Sequence, residues 1–295
     1  MTLATASLFL AAQPASAQAT CNGQAATIEG TEGADTINGT SSADVIHGLG
    51  GNDTINGLNG NDVICGGLGD DSINGGNGAD TAIGDIDTID SAVLVGSDTI
   101  VDGGDGADTI YGDALTIVGA AAVGITVAND TLDGGDSADT IYGDASSITV
   151  NAVGCTIEAG NDDITGGGGN DTINGDASSL TVTAGVAHGG NDTINAGGGD
   201  DTVNGEAASI TTTGTATATG AADTLNGQGG DDTLKGEGPS ISGAFAGGDD
   251  TLNGGNNNDN LDGNTSLLGN TNDGGAGTDT CLNPTTAQGA TNCEA

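Results

Sequence analysis

One apolar residue recurs every nine positions along much of this chain, with polar residues on both sides of it. In the stretch GLGGNDTINGLNGNDVICGGLGDDSINGG, residues 48–76, that position holds Ile55, Ile64 and Ile73. A nine-residue spacing does not fit the 3.6-residue period of a helix, and the many glycines disfavour a helix further. A three-residue strand followed by a tight glycine turn fits the pattern. We therefore predict many short strands, each with its central residue facing inward.

Two such units make one full coil of a solenoid in this interpretation. Stacked coils pair their backbones in parallel, about 4.8 Å apart, and bury a column of Ile, Leu and Val along the axis. A shift of one residue would turn the apolar side chain outward, which explains the strict spacing. Because each coil buries little alone, stability depends on its neighbours. The predicted fold class is all-β, a parallel β-roll or β-helix solenoid built from glycine-rich nonapeptide repeats.

An aspartate precedes each inward position by two residues. The nine-residue step is strict from Asp35 to Asp80 and breaks over residues 83–96. It then recurs in pairs separated by inserts such as ASSITVNAVGCTIEAG, except that the first pair, Asp98 and Asp108, has a step of ten. Strand-like alternation in SSITV and SLTVT indicates that the inserts either extend the coil or project as hairpins, and the pattern leaves both open. The aspartates in this position are Asp35, Asp44, Asp53, Asp62, Asp71, Asp80, Asp98, Asp108, Asp130, Asp139, Asp162, Asp171, Asp192, Asp201, Asp223, Asp232, Asp250 and Asp259.

The composition excludes an ordinary core and several classes of partner. The chain of 295 residues has 58 Gly, no Trp, two Tyr and two Phe, so few large side chains can fill an interior. It has 42 acidic residues against one basic residue, with a net charge of −41, so nucleic acid and anionic membranes are poor partners. No segment after the N-terminal run is apolar enough to insert into a membrane. Cations are the expected partners, and without them the chain should repel itself.

The repeated aspartates and glycines predict the type of cation. A glycine turn exposes backbone carbonyls, so two stacked turns offer carbonyl and carboxylate oxygens around one gap. Six to eight hard oxygen ligands suit Ca²⁺, whereas Mg²⁺ demands a tighter octahedron and transition metals prefer His or Cys. We therefore expect multiple Ca²⁺ ions as cofactors, with the eighteen aspartates as ligands.

The segments GGNDTINGL, GGLGDDSINGG and GGDGADTIYG resemble the hemolysin-type calcium-binding repeat, or repeats-in-toxin (RTX), family. Its nonapeptide is G-G-x-G-x-D-x-U-x, where U is a large apolar residue. The resemblance covers roughly residues 31–279 and implies a parallel β-roll with Ca²⁺ between its turns. It also implies carbonyl ligands at Gly48, Gly50, Gly67, Gly69, Gly104 and Gly106. The paired units with long inserts depart from the continuous array of the family.

Five further acids lie five residues after the second aspartate of a pair: Asp113, Asp144, Asp176, Glu206 and Glu237. We predict that they stack in a line on successive coils. At a spacing of roughly 5 Å, adjacent carboxylates repel by about 0.8 kcal/mol in water and about 3 kcal/mol at an effective dielectric of 20. Two interpretations remain open: solvated acidic turns, or extra metal ligands where the inserts interrupt the regular turns.

Residues 1–17 are predicted to be a signal peptide. The apolar run LATASLFLAA is too short to span a bilayer and is followed by a small-residue cleavage pattern, ASA, before Gln18. No Lys or Arg precedes the run, which leaves the true translation start open. The predicted location is therefore secreted, extracellular or at the cell surface; the alternative is an ordinary disordered apolar terminus.

The remaining chain divides into four predicted regions. These are an N-terminal cap at 18–30, a regular nonapeptide array at 31–96, paired nonapeptides with inserts at 97–266, and a C-terminal repeat with a disulfide cap at 267–295. The cap is expected to contain a Cys281–Cys293 disulfide, which would contribute about 3 kcal/mol. The sequence has five cysteines, so at least one is unpaired within a monomer, and the pairing of Cys21, Cys65 and Cys155 is left open.

The predicted function is that of a secreted, non-enzymatic calcium-binding repeat protein with a structural or surface role, in which Ca²⁺ drives folding. No H-E-x-x-H or G-x-S-x-G motif is present, and His47 and His188 stand alone, so no catalytic residue is expected. The alternative is an ice- or surface-binding adhesin. It would use outward rows such as Thr54/Asn56 and Thr193/Asn195, although Thr also simply suits an exposed strand.

Overall fold

The computed structural model describes residues 18–90, 95–101, 106–263, 269–283 and 290–294. Within these ranges every regular element is a β-strand, and no helix occurs. Three parallel sheets account for all but two of the strands. The first sheet contains Thr36–Asn38, Thr54–Asn59, Ser72–Asn77, Thr99–Val101, Thr131–Asp133, Asp163–Gly168, Thr193–Gly198, Thr224–Gly229, Thr251–Asn256 and Thr271–Ala276. The second contains Ile28–Glu29, Val45–His47, Val63–Cys65, Thr81–Ile83, Thr109–Tyr111, Thr140–Tyr142, Thr172–Asn174, Thr202–Asn204, Thr233–Lys235, Asn260–Asp262 and Thr280–Leu282.

The chain alternates between the first and second sheets, and one pass through both makes a coil. Ile55 in the first sheet aligns with Ile37 and Ile73, eighteen residues before and after it. Ile64 in the second sheet aligns with Ile46 in the same way. The inward residues of both sheets are almost fully buried and form one continuous core cluster. The predicted β-roll with two nonapeptides per coil is therefore confirmed.

The inserts form the third sheet and extend the coil. Its strands are Ile86–Ile89, Ala114–Gly119, Gly124–Thr126, Ala145–Glu158, Ala177–His188, Ser209–Thr212, Thr217–Thr219, Ser240–Ser242 and Phe245–Ala246. The long strand Ala145–Glu158 pairs through its first part with Ala114–Gly119 and through its last part with Gly124–Thr126. A Cβ added at Gly119 would lie 3.5 Å from the side chains of Val150 and Ile157, so the outgoing and returning parts face each other.

Each insert therefore adds an outer loop of chain with its own apolar core, and we call the stack of these loops the second lobe. Its core includes Ile117, Ile148, Leu180 and Ile210. The first strand of this sheet, Ile86–Ile89, lies inside the region 31–96 that was predicted to be a regular array. The second lobe thus begins before the predicted boundary at residue 97.

Disulfides fasten both ends of the described structure. Near the N-terminus, an antiparallel hairpin of Thr20–Cys21 and Gln24–Ala25 is joined to the second sheet through Cys21–Cys65, with a Cα–Cα distance of 5.7 Å. At the other end, a second disulfide joins Cys281 to Cys293. Cys155 is free and buried in the core of the second lobe.

Two sequence-based predictions fall at the limits of these ranges. The predicted signal peptide, residues 1–17, lies outside the described residues, as does Gly104. In the part of the chain that the structure describes, there is no helix of the length and apolarity needed to cross a membrane.

Candidate metal sites

The repeated aspartates form two straight rows, one at each edge where the first and second sheets meet. The first row contains Asp35, Asp53, Asp71, Asp98, Asp130, Asp162, Asp192, Asp223 and Asp250. The second row contains Asp44, Asp62, Asp80, Asp108, Asp139, Asp171, Asp201, Asp232 and Asp259. All eighteen predicted aspartates thus lie in one row or the other.

Each row is held by a ladder of hydrogen bonds that uses one oxygen of every carboxylate after the first in the row. The backbone N–H of Asp53 donates to Oδ1 of Asp71 at 2.7 Å, and the N–H of Asp162 donates to Oδ1 of Asp192 at 2.8 Å. The same contact recurs from coil to coil in both rows. Because Oδ1 is used in this way, the ladder fixes the direction of the side chain and leaves Oδ2 for another partner.

The second oxygen is buried and has no hydrogen-bond partner in most of these aspartates. This holds for every member from Asp53 to Asp259, all of which are at most 3% exposed. An ionised carboxylate costs several kcal/mol to bury without a partner. The chain has a single Lys and no Arg, so its own side chains cannot neutralise the rows. The rows therefore require cations or protons from outside.

The first coil differs from the rest. Oδ2 of Asp35 accepts hydrogen bonds from the backbone N–H and hydroxyl of Thr31, at 2.7 and 2.8 Å, and Asp44 receives the same two bonds from Thr40. Asp35 is also half-buried rather than buried. These two aspartates already have partners, so they need a cation less than the others do.

Glycine leaves room beside each free oxygen. A Cβ added at Gly134 would lie 2.7 Å from Oδ2 of Asp139 and 2.6 Å from the carbonyl oxygen of Gly166 on the next coil, closer than real Cβ atoms approach. A carboxylate oxygen and a carbonyl oxygen therefore converge on one small space. The same arrangement recurs at Gly57, beside Asp62 and the carbonyl of Gly75. These hard oxygens, spaced around a gap that no side chain fills, fit Ca²⁺.

Burial raises the pKa of the row carboxyls. It raises the pKa of Asp71 to about 7, with a further increase from the neighbouring Asp53 carboxylate. Burial and then the charge of Asp130 raise the pKa of Asp98 to about 9. Both causes disfavour the ionised form. Protons and metal ions are therefore expected to compete for the same oxygens.

A third line of acids lies where the second lobe joins the roll. We call each junction a neck and these residues the neck acids: Asp85, Asp113, Asp144, Asp176, Glu206 and Glu237. Each follows a glycine that occupies the place of Gly48 in a regular turn, since Gly112 and Gly48 both contact an Asp Oδ2 and the next coil's carbonyl oxygen. The insert begins directly after the neck acid.

One oxygen of each neck acid closes its neck. Oδ1 of Asp144 accepts the backbone N–H of Gly160, where the insert returns to the roll, at 2.8 Å. Glu237 accepts the N–H of Gly248 at 2.7 Å in the same way. Apart from Asp176, the other oxygen of every neck acid is buried without a hydrogen-bond donor, and the side chains of all six are at most 2% exposed. The carboxyls of Asp176 and Glu206, on successive coils, also lie within hydrogen-bond reach of each other. The solvated interpretation of these acids is therefore wrong, because none of them faces water.

Two buried acids escaped the sequence analysis. Asp85 lies in the phase break at residues 83–96, but it follows Asp80 by five residues and Gly84 directly, as the other neck acids follow their own aspartates and glycines. Asp279 extends the second row by one coil, since its Oδ1 accepts the N–H of Asp259 at 2.9 Å. Its signal was the final GGAGTDTC segment.

The two histidines lie away from the rows. His188 places its Nε2 3.9 Å from Glu158 and its Nδ1 2.6 Å from the hydroxyl of Thr219. The Nδ1 of His47 accepts the backbone N–H of Leu49 at 3.0 Å.

The comparison with known families identifies the same repeats that carry the two rows of aspartates. The model of the RTX calcium-binding nonapeptide repeat matches residues 29–64, 57–88, 96–114, 126–147, 158–179, 186–208, 215–238 and 246–265, which together are more than half of the chain. No curated protein matches the chain.

Proposed function

We propose that this chain, which belongs to the RTX calcium-binding nonapeptide repeat family, is a secreted, non-enzymatic structural rod that depends on calcium. The observation that carries this proposal is the two rows of buried carboxylates whose Oδ2 atoms have no partner. An arrangement of this kind is costly for a bare chain and favourable once a cation neutralises it.

The row aspartates and the turn glycines would hold the ions together. Asp139 Oδ2 and the carbonyl of Gly166 already converge at Gly134, and equivalent pairs recur along the roll. Bound Ca²⁺ would supply the positive charge that the chain lacks. The hydrogen-bond ladder through Oδ1 keeps each carboxylate aimed, so the ligand oxygens need little reordering.

Binding and folding should be one process in this protein. The net charge of −41 and the scarcity of aromatic residues disfavour a compact metal-free chain at neutral pH. Each site needs two stacked coils, so it exists only in the folded state, and its binding energy is folding energy. A dissociation constant of about 10⁻⁴ to 10⁻³ M is typical of extracellular Ca²⁺ modules.

Calcium titration of the purified chain tests the proposal. We expect millimolar Ca²⁺ to produce β circular dichroism and a smaller hydrodynamic radius, a chelator to reverse both, and Mg²⁺ at the same concentration not to replace it. If excess chelator leaves both signals unchanged at neutral pH, calcium does not drive folding and the proposal fails.

Secretion is part of the proposal for two reasons. The N-terminal segment has the pattern of a cleavable signal peptide. The structure also contains the disulfides Cys21–Cys65 and Cys281–Cys293, and such bonds persist in oxidising compartments. Extracellular calcium at millimolar levels would then keep the rod folded outside the cell.

An ice- or surface-binding adhesin is a second candidate, because outward threonines align along the first sheet. Thr193, Thr224, Thr251 and Thr271 are in register on successive coils and are exposed or half-exposed. The outward amides nearby bond to each other instead, as Asn226 does to Asn195 at 3.0 Å. Thermal hysteresis of the calcium-loaded protein would favour the adhesin, and its absence would favour the structural rod.

A further inference from the structure

The necks are chemically different from the regular turns. In the regular turn after Val45–His47, residues Leu49 to Asn52 connect Gly48 to Asp53 and contribute four backbone carbonyls. At a neck the insert separates the glycine from the aspartate, and the two residues before the aspartate, such as Gly160 and Asn161, lie in the returning chain. The neck acid takes the place of Leu49 in this alignment. It brings a second carboxylate to the turn.

Each neck acid meets the first-row aspartate that follows it. A Cβ added at Gly160 would lie 2.8 Å from Oδ1 of Asp162 and 3.0 Å from Oδ1 of Asp144, so both carboxylates reach the same glycine. A Cβ added at Gly143, the glycine directly before Asp144, would clash with Oδ2 of Asp162. The Asp162 carboxylate therefore lies between the entry and the exit of its neck.

The second oxygen of each group is buried and unpartnered. Asp144 is fully buried and Asp162 is 2% exposed, and Oδ2 of each has no hydrogen-bond partner. The same holds for Asp113 with Asp130. Two carboxylates carry the charge that balances one divalent cation, and carboxylate oxygen is the ligand type that Ca²⁺ prefers. A regular turn offers only one buried carboxylate from its own coil.

We propose that each neck is a second class of Ca²⁺ site, in which the neck acid and the following first-row aspartate bind one ion jointly. This inference rests on the proposed calcium-binding function and adds a site type that the nonapeptide pattern does not contain. The pairs are Asp85 with Asp98, Asp113 with Asp130, Asp144 with Asp162, Asp176 with Asp192, Glu206 with Asp223, and Glu237 with Asp250. The ion at a neck would also tie the outgoing and returning chains of the second lobe to the roll.

A matched set of variants of the full mature chain tests the neck sites. The neck variant combines Asp144→Asn, Asp176→Asn and Glu206→Gln. The control variant removes the same three charges at exposed positions, through Asp136→Asn, Asp163→Asn and Glu158→Gln. Bound Ca²⁺ is counted by native mass spectrometry and its affinity is measured by calorimetry. We expect the neck variant to lose one ion per altered neck and the control to keep the parental count.

The outcomes separate the two proposals. If the parent binds no Ca²⁺, the proposed function itself fails. If the parent binds Ca²⁺ and the neck variant binds the same number with the same affinity, only the neck sites are wrong, and the neck acids are neutral structural groups. Since an amide has the shape of a protonated carboxyl, the variant should still fold. If it does not fold, the single variant Asp144→Asn alters one neck of six, and the same count of bound ions decides.

Discussion

Acid should fold this chain in the absence of calcium. Burial, followed by neighbouring carboxylates, raises the pKa of Asp85 and Asp98 to about 9. Burial raises the pKa of Glu237 and Asp162 to about 8. In an unfolded chain these groups titrate near 4. The metal-free fold therefore holds protons that the unfolded chain releases. The stability that these four carboxyls contribute is fully present below about pH 4 and is lost as the pH rises through 8 to 9.

The size of the effect follows from the number of retained protons. At pH 6 these four carboxyls are protonated in the fold and ionised in the unfolded chain. Each contributes about 1.4 kcal/mol per pH unit to the free energy of unfolding, so four amount to about 5–6 kcal/mol per pH unit. That slope changes the folding equilibrium by about 10⁴ within one pH unit. We expect a steep transition between pH 8 and pH 5 in the presence of a chelator.

Circular dichroism and hydrodynamic radius, measured in chelator from pH 9 to pH 5, follow the transition, and a pH-stat counts the protons taken up. Screening of the net charge is the competing cause, so 1 M salt at pH 9 is the control. Salt shortens the Debye length to about 3 Å but cannot protonate a buried group. Uptake of fewer than two protons per chain, or full β structure in salt at pH 9, would refute the reasoning.

Two further predictions concern the core and the N-terminus. Replacing Ile173, which is fully buried in the axial column, by Ala should lower the free energy of unfolding by about 2–5 kcal/mol and raise the calcium midpoint of folding. The control Thr172→Ala, on the exposed face, should change the free energy of unfolding by less than about 0.5 kcal/mol. Equal effects of the two substitutions would contradict the buried column. The exported protein should begin at Gln18, and N-terminal sequencing of secreted material that retains residues 1–17 would contradict the predicted cleavage.

The roll could be predicted from sequence because one short pattern decides it. An apolar residue two positions after each aspartate specifies both the strand and the direction of its side chain, and the observed pairing of Ile37, Ile55 and Ile73 follows directly. In the regular array both rows of carboxylates follow as well, since residues eighteen apart must stack; past the first insert the aspartates keep their rows although the separation reaches 32 residues. Local spacing suffices here because each coil contacts only its neighbours.

The second lobe could not be predicted in the same way. Alternation in SSITV is compatible with a hairpin or with an added sheet, and what decides between them is the pairing of Ala145–Glu158 with both earlier strands. Asp85 was missed because the preceding nine-residue count breaks at the first insert, which hides its equivalence to Asp113. The Cys21–Cys65 disulfide depends on a hairpin that folds back over the second sheet, and cysteine spacing alone contains no such information.

The second lobe adds apolar burial beside the most acidic part of the roll. In the regular coils one apolar residue accompanies each buried carboxylate, so little apolar burial offsets the charge. At the necks the density of buried acids is highest, with a neck acid beside each first-row aspartate. The inserts add apolar residues such as Ile148, Val150 and Ile157 at the same levels. At about 1.5–3 kcal/mol per buried aliphatic side chain, these residues offset part of the cost of the neck carboxylates. The coils with the most buried acids are thus the coils with the largest apolar core.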